Sequence, residues 1–448
     1  MQPEEAPATV LLAGWGRATR TAADLVEPLT ASGVEAAISD SGLRGVVARG
    51  MGRSYGDAAL NAGGTVISTL RLDSLSDGGV VAGAGVSLRR LLAHLIPRGT
   101  TLPVLPGTAE VSVGGAIAAD VHGKNHHVDG AFSEYVESFR LATPGGMINV
   151  SREREPQLFN ATVGGMGLTG AIVDATLKTE AISSPFVSMD TDRVGDLESL
   201  MTLMSEGDER YKFSVAWIDC FARAASLGRG VLQRANYASE LPEATLARGE
   251  SQFERGPRLA PPDLVPTGAL RPIAVSAFNE FRYRRSPSRE REKLEAFPAF
   301  FHPLDVVADW NRLYGRAGFV QYQFVVPYGA EDVVRRVLDE QVRSPSYLAV
   351  LKQMGPSSGG MLSFPIEGWT LALDFPVAYE GLGEMLDRFD QWVAEVGGRV
   401  YLAKDSRMSS GLVEAMYPRL SEWREVAGGV DPEGVFRSDL SRRLRIKE

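Results

Sequence analysis

The chain has 448 residues, 44% of them hydrophobic and 23% charged, the balance of an ordinary soluble enzyme with core enough for two domains or three. A net charge of −9 argues against general binding to nucleic-acid backbones, and the single cysteine, Cys220, forbids an intrachain disulfide and cysteine-built zinc or iron–sulfur sites. No apolar run approaches the ~20 residues of a membrane span, and the acidic opening MQPEEAPATV leads into no signal-peptide pattern, so a protein that is soluble or peripheral to a membrane is expected.

Val10–Arg20 is a short apolar run ending in Gly14-Trp15-Gly16-Arg17, and Thr21–Ala31 has helical spacing with Leu25, Val26 and Leu29 on one face. Gly45–Ala48 reads as a buried strand feeding Arg49-Gly50-Met51-Gly52-Arg53-Ser54-Tyr55-Gly56-Asp57. Three glycines, two arginines and a serine in this stretch suit a phosphate loop, although a plain tight turn would use similar residues. The Gly-Lys-Ser/Thr ending of a nucleotide-triphosphatase loop is missing. Thr65–Leu70 and Val80–Val86 are expected strands, and Ser87–Leu95 a helix.

Thr101–His127 holds the densest chemistry. Two prolines and Pro106-Gly107 fix a bend, and Val111-Ser112-Val113-Gly114-Gly115 opens the small-residue run Ala116–Ala119, which can form a helix. Paired glycines at a helix start leave N–H groups open to an anion such as a pyrophosphate. His122-Gly123-Lys124-Asn125-His126-His127 follows, with three of the chain's five histidines. Val136–Ala142 reads as a strand. Gly164–Gly170 contains a literal Gly-x-Gly-x-x-Gly, but Ala171–Thr179 after it alternates as a strand, so a dinucleotide fingerprint of the βαβ type is rejected. Close approach of backbone to a flat ligand fits better.

From about Ser183 glycine-rich turns thin out. Met189–Gly207 and Glu331–Gln341 look helical, while Lys212–Ile218 and Val320–Pro327 look like strands. Glu254–Phe301 has seven prolines and the basic cluster Arg282-Tyr283-Arg284-Arg285, and reads as a mobile lid or interaction loop, or simply a solvated linker. Trp369–Phe375 is a buried strand, Leu382–Val396 a helix, and Val400–Asp405 ends a strand on Lys404. Val430–Leu444 turns at Pro432 and ends in a polar helix. No Ser-His-Asp arrangement, metal motif or close carboxylate pair is visible. Glycine-rich loops near residues 50, 114 and 165 instead suit an extended dinucleotide such as FAD.

Ala48–Asp57, Thr101–His127 and Gly164–Gly170 together resemble the vanillyl-alcohol-oxidase class of FAD-binding domain. That resemblance implies an α+β fold, with two subdomains holding FAD and a separate α+β substrate-binding domain over the flavin. It places the FAD domain at 1–183 and 399–448 and the substrate domain at 184–398, with the loop at 254–301. Within the class, HGKNHH, VQYQFVVP, LKQMGP, GWTLALDFP and YLAKDSR are similar to the decaprenylphosphoryl-β-D-ribose 2'-oxidase family, over nearly the whole chain.

Carried across by position, the resemblance puts FAD along Ala48, Arg49, Gly50, Met51, Gly52, Arg53, Ser54, Tyr55, Gly56, Asp57 and Ala58. It adds Gly107, Ser112, Val113, Gly114, Gly115, His122, Gly123, Lys124, Asn125, Ile172 and Tyr401. Where some members of the class tether flavin to a histidine, this chain has Ser54-Tyr55-Gly56, which implies non-covalent FAD. The family reaction oxidises the ribose 2'-hydroxyl to a ketone. It needs a hydride acceptor, a group for the hydroxyl proton, and positive charge near the reduced flavin. Lys404 is the first candidate for that charge, and Tyr55 and His122 for proton handling. Lys124, Gln323 and Lys352 are candidates to hold the sugar and its phosphodiester, and Trp217 and Tyr314 to wall the site. Plain core or surface roles remain open for Trp217, Gln323 and Lys404.

Two positions depart from the family: Ala372 stands where relatives often carry a cysteine, and Thr370 where they often carry an amide. The resemblance further implies an NADH-dependent 2'-keto reductase as partner and a role in cell-wall arabinan synthesis. It also implies peripheral contact with the membrane of the cell envelope, on the periplasmic side. A flavin oxidase of free alditols or aldonolactones is the alternative expectation, and a non-catalytic binder of lipid-linked sugars a remoter one.

Overall fold

The computed structural model describes residues 8–239, 241, 245, 260–262, 266 and 270–447. The fold is α+β. Strands β1 (Ala8–Ala13), β2 (Arg20–Val26), β3 (Val46–Arg49) and β4 (Thr65–Ser68) make a sheet in the order β1-β2-β4-β3. The β1–β2 pair is antiparallel; the parallel pairs around β4 deliver the chain after β3 to the sheet's end. A second sheet has β5 (Val81–Gly83), β7 (Val136–Thr143), β8 (Gly146–Ser151) and β9 (Ala171–Leu177) in the order β5-β9-β7-β8. The two-residue strands β6 (Thr100–Thr101) and β10 (Glu180–Ala181) pair separately.

An eight-stranded antiparallel sheet follows, of β11 (Phe186–Val194), β12 (Phe213–Ile218), β13 (Gly230–Tyr237), β14 (Arg289–Ala296), β15 (Phe319–Pro327), β16 (Ala349–Met354), β17 (Gly368–Pro376) and β18 (Arg399–Val400). Its order is β14-β11-β13-β12-β16-β17-β15-β18. The helices Leu197–Gly207, Glu331–Glu340 and Leu382–Glu395 bury one stripe each in a core shared with this sheet.

Where helices begin, the sequence supplies the cap. Ser87 accepts from the Arg90 amide at the start of Leu88–Leu95, and Ser112 from the Gly115 amide at the start of Val113–Ala118.

Four expectations change. Thr21–Ala31 is not a helix: Arg20–Val26 pairs on both edges as β2, with Thr21 and Ala23 buried, and the helix starts later, at Ala31, capped by Thr30. Met189–Gly207 divides into β11 and a helix from Leu197, because Asp196 caps the Ser199 amide and ends the strand's register. The segment 254–301 is not a lid throughout. Its described part holds the helix Pro272–Arg285, strand β14 and the short helix Phe297–Phe301. Phe297, Phe300 and Phe301 are core residues, the last two packed on Phe213 and Phe297 on Tyr237, so the segment's end is anchored by aromatic burial; residues 254–259, 263–265 and 267–269 lie outside the described residues. The strand expected over Val400–Asp405 stops at Val400, and Tyr401–Lys404 closes as a turn with the Lys404 amide donating to Tyr401 O at 2.9 Å.

The C-terminal segment returns to the first sheet. The Val46 amide donates to Val435 O, and Asp439 accepts from the Ala62 amide and the Thr21 hydroxyl. The short helix Asp439–Arg443 carries Arg443, which grips Asp57 with two hydrogen bonds and Asp405 with a third contact at 2.8 Å. Between those partners the Tyr55 amide donates to Ala403 O, and a Cβ on Gly56 would stand 1.9 Å from Asp405 O. Backbone cannot yield there, so Gly56→Ala should lower unfolding free energy by about 1–3 kcal/mol. Urea unfolding of the purified variant measures it, and wild-type stability would refute the tight packing.

Candidate active site

One large cavity lies where three parts of the chain converge. The loop after β3 supplies Gly50 to Tyr55, the bend before helix Val113–Ala118 supplies Pro106 to Thr108 and Ser112, and the 166–172 stretch supplies Met166, Gly167, Gly170 and Ile172. The sheet closes the opposite side. Residues two apart on a strand share a face, and the register sets Gln321 opposite Asp374, Gln323 opposite Ala372, and Val350 beside Ala372. Gln321, Gln323, Val350, Lys352 and Ala372 all border the cavity, and the turn Tyr401–Lys404 completes it.

The residues fit a dinucleotide. Gly50 lies against Ser112, where a Cβ would meet the hydroxyl at 2.0 Å, so two glycine-rich loops touch. Gly107 and Gly167 border the cavity with open space beside them, which any side chain would fill. FAD would lie along Gly50–Tyr55, Ser112–Gly115 and Gly167–Ile172, gripped by backbone rather than by charge.

Charge concentrates at the sheet side. The Lys404 ammonium sits 3.7 Å from the Tyr55 ring centroid. Burial draws Lys404 down to about 7, with Asp374 pulling it up and Lys352 pushing it down. Burial also brings Lys352 to about 7. The Tyr55 hydroxyl is held well above its ordinary value by burial and then by Asp374, so it keeps its proton.

His122 bridges two strands: Nε2 faces the Gln323 amide nitrogen at 3.0 Å and Nδ1 faces Lys352 Nζ at 3.0 Å. Thr370 donates to Phe324 O and so accepts from Gln323, which fixes the amide with its nitrogen toward His122. In that arrangement Nε2 accepts, Nδ1 carries the proton, and Lys352 receives it as a neutral amine; a charged Lys352 requires the other tautomer and a turned amide. Burial holds His122 well below its usual range, and any charge on Lys352 lowers it further, so its ring is neutral. Phe364 stacks on Tyr401 at 4.6 Å, and Tyr401 donates to Ala119 O, locking this wall to the end of helix Val113–Ala118.

The structure brings most of the candidates to the cavity: Ala48, Gly50–Tyr55, Ala58, Gly107, Ser112, Gly114, Gly115, His122, Ile172, Tyr401, Gln323, Lys352 and Lys404 border it. Others stand behind it. Arg49 donates to Ala13 O and Ala59 O, Asp57 is held by Arg443, Val113 is core, and Asn125 braces Pro103 O. Gly56 and Gly123 are packed against backbone. Lys124 donates to Phe300 O and lies 4.1 Å over its ring. Trp217 lies under Arg282, and Tyr314 stacks on Phe319 at 4.2 Å. Sequence reading passed over Gln321, Trp15 and Trp310. Gln321 was signalled by its spacing from Gln323 on one strand; Trp310, which packs edge-on to Trp15, had no local signal.

Comparison with known proteins points to the same cofactor. A model of the FAD binding domain matches residues 23–151. The decaprenylphosphoryl-β-D-ribose oxidase of Mycolicibacterium smegmatis is 41% identical over the whole of both chains. An uncharacterized protein of Streptomyces coelicolor is 39% identical over 81% of this chain and all of its own length. The D-arabinono-1,4-lactone oxidase of Eremothecium gossypii is 29% identical, over 34% of this chain and 28% of its own. The fold and cavity are those of an FAD-dependent oxidoreductase. The chain belongs to the decaprenylphosphoryl-β-D-ribose oxidase family.

His126 and His302 are buried too, and burial with nearby lysines brings each to about 3. A lowered value means the ring stays neutral as pH falls past the ordinary 6.5. In histidine-labelled protein, the ring resonances of both should hold still between pH 8 and 5; movement near pH 6.5 would refute their burial as neutral rings.

Proposed function

We propose that the protein oxidises the 2'-hydroxyl of decaprenylphosphoryl-β-D-ribose to the 2'-ketone, using FAD held without a covalent bond. The observation that carries this reading is a surplus of buried cations. Lys352 and Lys404 border the cavity and are each drawn to about 7 by burial, as is Lys124 behind its wall, and Lys352 repels both of the others. Such a group calls for an anion, and a sugar phosphodiester supplies one. The whole-length likeness to an oxidase of that substrate supports it, whereas the likeness to the lactone oxidase spans only about a third of this chain.

FAD, when bound, supplies the hydride acceptor. The protein's own groups do the rest. Lys404, poised near neutrality, polarises the hydroxyl, takes up its proton and leaves a positive charge at the reacting end. Tyr55 stays protonated beneath it and shapes the floor. Gln323 and Lys352, coupled through His122, hold the sugar face, and Lys352 answers the phosphodiester. Ala372 presents only a methyl group there, so no thiol takes part.

Oxidation alone inverts nothing, so an NADH-dependent 2'-keto reductase completes an epimerisation serving cell-wall arabinan. The polyprenyl tail implies work at the membrane of the cell envelope, on its periplasmic side. The helix Pro272–Arg285 supports membrane contact: Ile273, Phe278 and Phe281 are 79%, 58% and 59% exposed, beside Arg284 and Arg285.

Anaerobic mixing with a short-chain prenylphosphoryl ribose should bleach the flavin band, and free alditols or aldonolactones should not. Lys404→Ala should slow that bleaching by about 10²-fold or more while denaturation still releases intact FAD. Bleaching by free sugars with peroxide release, or normal kinetics in the variant, would overturn the assignment. Flotation with anionic vesicles tests the helix: Phe278→Ser/Phe281→Ser should lose binding that wild type shows, and equal flotation of both would count against the membrane role.

A further inference from the structure

Four side chains along the sheet side of the cavity make one continuous run of hydrogen bonds. Thr370 on β17 donates to Phe324 O at 2.8 Å and accepts from Gln323 Nε2 on β15 at 3.2 Å. The same Nε2 lies 3.0 Å from His122 Nε2. His122 Nδ1 lies 3.0 Å from Nζ of Lys352 on β16, which also donates to Gly123 O at 3.3 Å. With both hydrogens of its amide nitrogen used in the wall, Gln323 has Oε1 left for the cavity it borders.

A neutral imidazole carries one proton, so two arrangements satisfy both 3.0 Å contacts. In the first, Nδ1–H donates to a neutral Lys352 and Nε2 accepts from Gln323. In the second, a Lys352 ammonium donates to Nδ1, and Nε2–H donates to Gln323, whose amide must turn so that Oε1 accepts. The Thr370 hydroxyl then leaves Phe324 O for that oxygen, and the Gln323 NH₂ points into the cavity. The second arrangement holds one proton more, taken from solvent and carried by Lys352.

The surroundings leave that charge to be answered from within the cavity. Lys124 and His126, from the stretch after His122, and Lys404, from the turn after β18, all feel a Lys352 charge and are all basic. Phe364 and Tyr401 flank the His122 ring at 5.8 Å each and bring no charge. Among the described residues no carboxylate lines the cavity.

We propose that an anion bound at Lys352 reverses this run, so that Gln323 offers its carbonyl oxygen in the empty site and its NH₂ once a phosphodiester has arrived. Gln323 is then specificity-determining, and His122 and Thr370 are positioning residues that act through it. A sugar hydroxyl facing Oε1 must donate its proton there, whereas one facing the NH₂ accepts and keeps its proton for another base. The site thereby distinguishes a sugar that carries a phosphodiester from one that does not. The part given to the anion rests on the function proposed above.

Ring-nitrogen NMR of histidine-labelled, FAD-loaded protein reads which nitrogen of His122 bears the proton. Acid alone charges Lys352, whose midpoint burial sets at about 7. His122 should therefore pass from the Nδ1–H to the Nε2–H form as pH falls through that value, its ring staying neutral, and Lys352→Met should abolish the change. Thr370→Val removes an acceptor that holds the amide in its first arrangement, so it should raise the Nε2–H share at pH 8, and Thr370→Ser should restore wild type. That pair decides the matter should Lys352→Met fail to fold. A short-chain prenylphosphoryl 2-deoxyribose, with no 2'-hydroxyl to oxidise, should convert His122 at pH 8 and take up about one proton, read by calorimetry in buffers of different ionisation enthalpy. A single His122 tautomer at every pH, or a charged ring, overturns the proposal, and so does a bound phosphodiester that leaves the tautomer unchanged. Failure of this ligand to perturb the flavin band counts instead against the substrate reading, while the acid titration still decides the run of hydrogen bonds.

Discussion

The constraint on which this site depends is the join between the loop after β3 and the turn after β18. One backbone bond from Tyr55 to Ala403 O and the contact of Gly56 with Asp405 O leave no room between them. Arg443 then spans Asp57 and Asp405 from the last helix of the chain, bridging residues 386 apart in sequence. Tyr55 and Lys404 meet at 3.7 Å because their neighbours are clamped, not because the two attract strongly; a cation over a phenol ring is a modest interaction. The cradle for FAD and the lysine beside it are thus one rigid piece.

Against that rigid piece the sheet presents an electrostatically unbalanced face. Two lysines and a neutral imidazole border the cavity there, and among the described residues no carboxylate lines it. In the interior a lone positive group is held near its switching point rather than firmly charged. Lys352 and Lys404 are both there, and a bound anion would tip them toward the charged form. Substrate charge and the protonation of the site are coupled for that reason: the phosphodiester strengthens the groups that receive it.

How much of this could be read from the residues differs by feature. The helix start at Ser87 was legible because the cap is local, whereas the helix expected over Ala116–Ala119 begins at Val113 under the Ser112 cap; the strands at 136, 171, 320 and 369 were legible because their apolar runs are local too. The strand at Arg20–Val26 was not: its apolar spacing suits either period, and only pairing with β1 and β4 decides between them. The core role of Phe297–Phe301 was hidden by the prolines and charges before it, since burial against Phe213 comes from another strand. In the cavity, glycine loops and Lys404 stood out, while Trp310 and Gln321 reach it only through the fold.

The clamp also sets an order in time. A chain is made from its N-terminus, and domains fold as they emerge. The three glycine loops, the histidine cluster and most of the large sheet therefore leave the ribosome while Lys404 and Arg443 are still unmade. A nascent molecule could form the glycine loops of the cradle and still lack Tyr401, the ammonium group of Lys404 and the guanidinium of Arg443. Competence for electron transfer is in this way withheld until the segment that carries Arg443 has been made.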